Sequence, residues 1–148
     1  MTATQPELDV VQQLADRAEI TDLVSRLGRW LDEKRFDEAT EVLTDDATVK
    51  TPGGAAEGIE RVIAQARRTH EIAETQHVIT NALVDLDGDR ASVRANLVVT
   101  FVHGEERSLF TLGEVYRFQA VRTPAGWRLA GIEVAPVWER GTRPQPAS

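Results

Sequence analysis

Two short segments of the chain carry residues that could move protons. WLDEKRFD (residues 30–37) ends a stretch with helical periodicity and contains Asp32, and TQHVITN (residues 75–81) places His77 at the start of a predicted strand. A carboxylate that loses hydration in an apolar pocket has a raised pKa. Beside a neutral imidazole it can hold one tautomer of the ring or share a water with it. We therefore predict that Asp32 and His77 share one cavity and act there as an acid–base pair.

Each of these residues has an alternative role without chemistry. Asp32 stands beside Glu33 and Lys34, so a solvated position in the turn after the helix would also explain it. His77 has the same strand parity as Ile79 and Leu83, which fits a core position as well as a pocket. The spacing alone does not decide between these interpretations.

A further group of side chains could line a pocket for a flat, apolar ligand. Its members are aromatic or polar residues in predicted helices and strands, namely Trp30, Phe101, His103, Phe110, Glu114 and Tyr116. Large aromatic residues more commonly fill a core or a subunit contact, and His103, next to Gly104, fits a hairpin turn better than a cavity. Glu114 and Tyr116 share one parity, so an inward Glu114 would be a second acid in the pocket.

The remaining histidine, His70, continues the apolar face of a predicted helix and is interpreted as a packing residue. It is separated from His77 by a predicted helix–strand break, and the chain contains no cysteine. The histidines therefore do not have the pattern of a zinc site. We predict no metal and no cofactor.

The first half of the chain has the periodicity of helices. Apolar residues recur at spacings of three to five over residues 14–31, and the opposite face carries charged residues that include Asp16. A second short helix is predicted over residues 36–43, and a third begins after Gly58.

The second half has the pattern of an antiparallel sheet. Tight-turn sequences separate four predicted strands, at 76–86, 91–103, 108–121 and 127–137. Helices followed by such strands predict an α+β fold, in which helices cover a curved sheet and a cavity remains wherever the cover is incomplete. We predict a single domain over residues 8–140, with flexible ends at 1–7 and 141–148.

Composition argues against several classes of partner. The chain has 148 residues, a net charge of −7 and 28% charged residues. This negative balance argues against nucleic acid as a partner, because binding to phosphates requires clustered Lys and Arg. It also argues against binding to an anionic membrane surface. No apolar run approaches the roughly 20 residues that span a bilayer, and residues 1–15 lack the order of a signal peptide. We expect a cytoplasmic protein whose partner is a hydrophobic small molecule.

Four segments together resemble the nuclear-transport-factor-two-like superfamily, and within it the SnoaL-like branch of polyketide cyclases and dehydratases. They are ADRAEITDLVSRLGRWLDEKRFDE, LTDDATVKTPGG, TQHVITNALVDLDGDRASVRA and GEVYRFQAVRTPAGWRLAGIEV. The resemblance implies a cone-shaped, curved, mixed or antiparallel sheet covered by about three N-terminal helices. It leaves function open, because this fold carries many activities.

Two of these segments are similar to the parts of scytalone dehydratases that carry a catalytic aspartate and a catalytic histidine. Asp32 and His77 match those residues. Leu31, however, stands where that family has a tyrosine, and residues 109–111 contain no histidine where the family has a second one. The resemblance therefore implies only part of the dehydratase site.

Two other activities of the superfamily are matched less well. LTDDATVKTP is similar to a segment of ketosteroid isomerases, but Thr51 occupies the position of their general base, and a hydroxyl does not take a proton at neutral pH. Limonene-type epoxide hydrolases need an Asp-Arg-Asp set, which Arg94 and Glu114 do not complete.

The resemblance as a whole implies a cofactor-independent dehydratase, isomerase or cyclase. Its substrate would be a hydrophobic carbonyl compound such as a polyketide or a steroid-like molecule. It also implies a homodimer formed across the outer sheet face, with a homotrimer as the alternative. A binding module without catalysis, or an accessory subunit of a larger enzyme, would have the same fold.

Overall fold

The structure, a computed structural model, describes residue 2 and residues 4–145, except for the side chain of residue 8. Within this range the chain forms two α-helices, one 3₁₀ helix and one six-stranded sheet. Parts of the two predicted flexible ends, residues 1, 3 and 146–148, lie outside the described residues. Helix α1 (Gln5–Asp32) already begins within the predicted N-terminal end.

The first helix is long, and only its second half packs on the sheet. A capping box starts it: Thr4 Oγ1 accepts the Glu7 N–H, and the Glu7 carboxylate accepts the Thr4 N–H at 2.6 Å. Residues 5–15 are exposed wherever their side chains are described, and burial begins at Asp16. The predicted outward position of Asp16 is wrong: it is 6% exposed, and its carboxylate accepts hydrogen bonds from the buried Trp127 indole and the Arg122 guanidinium of the sheet.

Two shorter helices follow. The second predicted helix is a 3₁₀ helix, Phe36–Glu41, which buries Phe36 and Ala39. Helix α2 (Ile59–His70) buries Val62 and Ala66 on one face and leaves its charged residues outside. The prediction of about three helices is thus confirmed, with the second shorter than expected because residue 43 already begins a strand.

The six strands lie in the order β2-β1-β6-β5-β4-β3. Their bounds are β1 Leu43–Thr51, β2 Gly54–Glu57, β3 Glu74–Asp87, β4 Arg90–His103, β5 Ser108–Thr123 and β6 Gly126–Gly141. Strand β1 pairs with β6 in parallel, and the other pairs are antiparallel. The predicted α+β fold with a curved, mixed sheet is confirmed, and β3 to β6 are the four predicted strands.

The alternation of side chains along β4 separates the two faces of the sheet. Every second residue from Ala91 to Phe101 is buried, and the residues paired with them on β3 and β5 point to the same inner face. Helix α1 packs against β3 and β6, and α2 packs against β1. This cover is incomplete, so a space remains between the end of α1, helix α2 and the inner face of the sheet.

None of the helices in the described part of the chain is long and apolar enough to cross a membrane.

Candidate active site

The end of α1 and the start of β3 bring Asp32 and His77 into direct contact. Asp32 is the last residue of α1, and the chain turns away at Lys34, which has a φ of 54° and donates from Nζ to Ala73 O at 2.9 Å. His77 Nδ1 lies 2.5 Å from Asp32 Oδ1. The backbone N–H of His77 also donates to Asp32 Oδ2 at 2.9 Å. Both ring and backbone of His77 are therefore fixed by one carboxylate.

Gly28 allows α1 to approach β3 closely at this point. A Cβ at this position would lie 3.5 Å from Ile79 Cδ1 and 3.6 Å from His77 Cβ, which are ordinary contact distances. Alanine would therefore fit at this position.

Three hydrogen bonds converge on the Asp32 carboxylate. Besides the two donors of His77, Thr75 Oγ1 donates to Oδ1 at 2.9 Å. Burial alone would raise the pKa of Asp32, but the hydrogen bonds from His77 and Thr75 outweigh it and hold the pKa below its usual value. The expectation of a raised pKa is therefore wrong. Asp32 is an anion that orients His77 and is not itself a strong base.

The hydrogen bond to Asp32 fixes the tautomer of His77. A carboxylate accepts only from a protonated nitrogen, so the proton of the neutral ring is on Nδ1 and a lone pair is on Nε2. The side chain is 1% exposed and lines a cavity. Among the described residues Nε2 has no hydrogen-bond partner. A base held by a third group in this way has the geometry required for proton abstraction.

The cavity has a volume of about 540 Å³ and mainly apolar walls. It lies between the end of α1, helix α2 and the inner face of β3 to β6. Five of the predicted substrate-binding residues line it, namely Trp30, Phe101, Phe110, Glu114 and Tyr116. The even-numbered residues of β5 are thus the ones that face inward, which the sequence did not decide. The volume suits a small organic ligand.

His103 does not line the cavity, so its placement among the substrate-binding residues is corrected. It ends β4, and its Nε2 donates to Thr142 O at 2.7 Å. The residues that follow, 143–145, do border the cavity, and the Arg143 guanidinium lies 4.8 Å from the centroid of the Phe110 ring. His103 is therefore hydrogen-bonded to the residue that precedes the cavity-lining residues 143–145.

His70, interpreted from the sequence as a packing residue, also lines the cavity. Its ring stacks on that of His77, with centroids 5.3 Å apart. His70 Nδ1 donates to Ala66 O at 2.9 Å, which leaves a lone pair on Nε2. Burial and the neighbouring His77 lower the pKa of His70 to about 4, so the ring is neutral at pH 7. Its place one turn after the buried Ala66 was the sequence signal for an inward position.

Replacing His70 with phenylalanine is expected to reduce the loss of folding stability between pH 7 and pH 5. Folding lowers the pKa of His70 to about 4, so the unfolded chain binds a proton that the folded chain excludes. Wild-type stability therefore falls as the pH drops from about 6.5 towards 4, with a loss of about 2 kcal/mol between pH 7 and pH 5.

Urea unfolding of both proteins at pH 7 and pH 5 measures this difference. Phenylalanine keeps the ring contacts with His77 and Phe101 but does not titrate, while the charged neighbours Asp32 and Lys34 are common to both proteins. The same pH dependence in wild type and variant would show that His70 is not buried in its neutral form.

Two acidic groups on β5 face the cavity from another wall. Glu114 and Tyr116 are 8% and 9% exposed. Burial raises the pKa of Glu114, although Arg143 opposes this, and burial together with Glu114 raises the pKa of Tyr116. The cavity thus has His77 on β3 and two weak acids on β5, all on the inner face of the sheet.

The described residues contain no group of three or more His, Cys, Asp or Glu side chains arranged to hold a metal ion. Thr51, at the position of the ketosteroid isomerase base, lines the cavity and donates its hydroxyl to Gly54 O at 3.2 Å. His77 lines the same cavity with its ring hydrogen-bonded to the Asp32 carboxylate.

Comparison with known proteins identifies a family over most of the chain. A family model described as the SnoaL-like domain matches residues 12–133. An uncharacterised protein of Mycobacterium tuberculosis is 30% identical over 125 residues, which cover 80% of this chain and 84% of that protein.

Solved structures with the same fold include two named for eliminations. A hexachlorocyclohexane dehydrochlorinase (LinA) of type 2 has a TM-score of 0.81 and 20% identity, covering 93% of this chain and 96% of its own. A Novosphingobium aromaticivorans protein proposed to be a scytalone dehydratase has a TM-score of 0.83 and 18% identity, covering 93% of this chain and 95% of its own. At these identities the similarity shows the fold alone.

Proposed function

The chain belongs to the SnoaL-like domain family and has the nuclear-transport-factor-two-like fold, and from this premise we propose that it is a cofactor-independent acid–base enzyme. Its substrate is a hydrophobic, carbonyl-bearing small molecule. The observation that carries the proposal is the hydrogen bond of 2.5 Å between His77 Nδ1 and Asp32 Oδ1, because it leaves Nε2 of a cavity-lining ring as a free base.

The roles of the two residues follow from this geometry. His77 Nε2 takes a proton from the carbon next to the substrate carbonyl, and the Asp32 anion pairs with the imidazolium that forms. The Thr75 hydroxyl and the His77 N–H keep the carboxylate in place. A positioned general base contributes about 10²–10⁴-fold to a rate, and the fixed ring adds the advantage of orientation.

The walls of the cavity indicate the kind of substrate. Leu27, Val99, Leu112 and Ile132 all border it, together with several aromatic rings. Such walls bind an apolar skeleton, and a few polar groups then set its orientation. A polyketide or a steroid-like compound fits this description.

Elimination is the proposed reaction among the dehydratase, isomerase and cyclase alternatives. The two structural neighbours are named for loss of hydrogen chloride and loss of water. Either loss includes removal of a proton from carbon, which is the step proposed for His77. The isomerase alternative has less support, because Thr51, which lines the cavity, stands at the position of the ketosteroid isomerase general base.

The experiment that tests the proposal is exchange of carbon-bound hydrogen in deuterated water. Benzylacetone, a hydrophobic ketone without a leaving group, is the probe, and NMR measures the loss of its α-hydrogens. Wild type is expected to catalyse exchange, and Asp32→Asn is expected to slow it by about 10²-fold, because an amide cannot pair with the imidazolium.

Asp37→Asn is the matched control, since the side chain of Asp37 is fully exposed. An exchange rate in Asp32→Asn equal to that of wild type and of this control would contradict the role of Asp32.

A ligand-binding module, or an accessory subunit with such a pocket, is the second candidate function. Leu31 favours it, because this apolar residue lines the cavity where the scytalone dehydratase resemblance has a tyrosine. In that case wild type would bind benzylacetone without catalysing exchange.

We also propose a homodimer formed across the outer sheet face. A row of apolar residues crosses four strands on this face, since Val78 pairs with Val98, Val98 with Gly113, and Gly113 with Trp138. Val78, Val98 and Trp138 are 50%, 38% and 48% exposed. The Trp138 indole covers Gly113, where no Cβ would fit. Contact between two such rows would remove this apolar surface from water.

Val98→Asp is expected to convert the dimer into a folded monomer, because it places unpaired charges at the centre of the apolar contact. Sedimentation velocity measures the change. Ser92→Asp, on the same strand and the same outer face but away from the row, is the control and should remain dimeric. A wild-type protein with the mass of a monomer or a trimer would contradict the proposed dimer.

A further inference from the structure

Glu114 is a buried carboxyl group that the proton-abstraction step leaves unused. It is 8% exposed and lines the cavity. Its carboxyl oxygens have no hydrogen bond and no ion pair within residues 4–145, the continuous described range. Buried carboxyl groups without a partner are rare, because an ionised one is strongly disfavoured in apolar surroundings. The Glu114 carboxyl group lines the cavity, where a ligand can reach it, and burial raises its pKa and so favours its neutral form.

The sheet register places Glu114 on the same inner face as His77, two strands away. His77 pairs with Val99 and Val99 with Leu112, so two strand spacings, about 10 Å, separate β3 from β5. Glu114 is two residues beyond Leu112, about 7 Å further along β5. A ring-sized ligand can therefore touch both groups at once.

An irregularity in the sheet accompanies this position. The register of β5 with β6 shifts between Gly113 and Glu114, since Gly113 pairs with Trp138 whereas Glu114 pairs with Pro136. One residue of β6, Val137, is thus left over. Such bulges bend the strand and change the direction of neighbouring side chains, and they are common beside active sites.

The groups around Glu114 favour its neutral form. The carbon skeletons of Leu112, Val134 and Pro136 adjoin it along the same wall. Of the charged and titratable groups that line the cavity, which are Arg68, His70, His77, Tyr116 and Arg143, only Arg143 and Tyr116 interact with it appreciably. Arg143 is bonded to Glu139 at 2.6 Å, so its guanidinium is already paired.

We propose that Glu114 is the proton donor to the leaving group, and that the natural substrate carries a hydroxyl group, not a halide, on the carbon β to its carbonyl. The inference rests on the proposed function. Of the eliminations considered under the proposed function, it specifies the loss of water.

The proton balance of this reaction closes within the cavity. His77 Nε2 removes the proton from the α-carbon, and the C–H electron pair forms the new C=C bond. The C–O bond breaks as Glu114 transfers its proton to the departing oxygen, which leaves as water. The imidazolium of His77 and the carboxylate of Glu114 then exchange one proton through solvent, which restores both groups.

A halide would not need this group. It leaves as a stable anion and takes up no proton. Hydroxide is a poor leaving group at neutral pH, so its departure gains from a positioned acid by about 10²–10⁴-fold. The leaving group therefore distinguishes a role as proton donor from a role in packing.

The test uses two substrates that differ only in the leaving group. They are the β-hydroxy ketone formed from benzaldehyde and acetone, and the β-chloro ketone with the same skeleton. Both give benzylideneacetone, whose ultraviolet absorbance measures the rate above the uncatalysed background. Glu114→Gln is expected to lower turnover of the hydroxy ketone by about 10²–10⁴-fold and to lower turnover of the chloro ketone far less.

His77→Gln separates this proposal from the general one, since it should lower turnover of both ketones. If His77→Gln changes neither, the proposed function fails. If His77→Gln lowers both and Glu114→Gln is not selective for the hydroxy ketone, only the role of Glu114 fails. A wild-type protein that eliminates chloride but not water would also overturn the proposed role of Glu114.

A second measurement does not depend on turnover. Carbon-labelled glutamate gives a carboxyl resonance that Glu114→Gln removes and thereby assigns. With benzylideneacetone bound at pH 7, this resonance is expected at the position of a protonated carboxyl group. A resonance at the position of a carboxylate would overturn the role of Glu114 even if neither ketone were turned over.

Discussion

Replacing His77 with glutamine is expected to lower turnover by about 10²–10⁴-fold while the fold remains intact. Asp32 keeps the Thr75 hydroxyl and the backbone N–H of residue 77 as donors, so the carboxylate stays paired. Glutamine has no basic nitrogen, however, and cannot take the substrate proton from the cavity side. The loss should appear in kcat for the β-hydroxy ketone, with a much smaller change in KM, because the apolar walls that bind the substrate are unchanged.

Circular dichroism and the midpoint of thermal unfolding separate this effect from misfolding. Both should be close to the wild-type values, because the Asp32 carboxylate also keeps its bonds from Thr75 and from the backbone at position 77. Wild-type turnover in His77→Gln would show that another group is the base.

Replacing Asp16 with alanine is expected to destabilise the protein by about 2–3 kcal/mol, mainly because a buried donor loses its acceptor. Asp16 accepts two hydrogen bonds from the Arg122 guanidinium, at 2.9 and 2.7 Å. It also accepts the indole N–H of Trp127, a residue that is 1% exposed, at 3.1 Å. In the variant this N–H is buried without a partner.

The effect should depend on pH in a defined direction. The hydrogen bonds from Arg122, with a smaller contribution from Trp127, hold the pKa of Asp16 at about 2 against the effect of burial. The stability that Asp16 contributes is therefore complete above the unfolded value near 3.8 and is lost as the pH falls towards 2.

Urea unfolding at pH 7 measures the difference, and Asp22→Ala, an exposed aspartate on the same helix, is the control. Equal free energies of unfolding for the two variants would contradict the structural role of Asp16. The difference between wild type and Asp16→Ala should also shrink in acid.

The fold was predictable because several local signals agree. The alternation of apolar residues in β4 and the turn sequences at its two ends specify an antiparallel sheet with one buried face. The two candidate residues, Asp32 and His77, were found through segments that resemble a known family. Their spacing in the sequence, 45 positions, does not by itself place them in contact.

Other features depend on contacts between distant segments. Asp16 lies on a helix face that looks solvated, and its partners Arg122 and Trp127 follow more than 100 positions later. The direction of the Asp32 pKa shift was mispredicted for the same reason, since burial was foreseen but the donors of Thr75 and His77 were not. Which parity of β5 faces the cavity also depends on where the helices pack.

The central claim is that Asp32 holds His77 with a free Nε2 facing the cavity. Nitrogen NMR of the His77 ring, assigned with His77→Gln, tests it most directly. At alkaline pH, where imidazoles are neutral, we expect a protonated Nδ1 and an unprotonated Nε2 whose resonance moves when benzylacetone is added. A proton on Nε2, or an Nε2 resonance that does not move when benzylacetone is added, would contradict the claim.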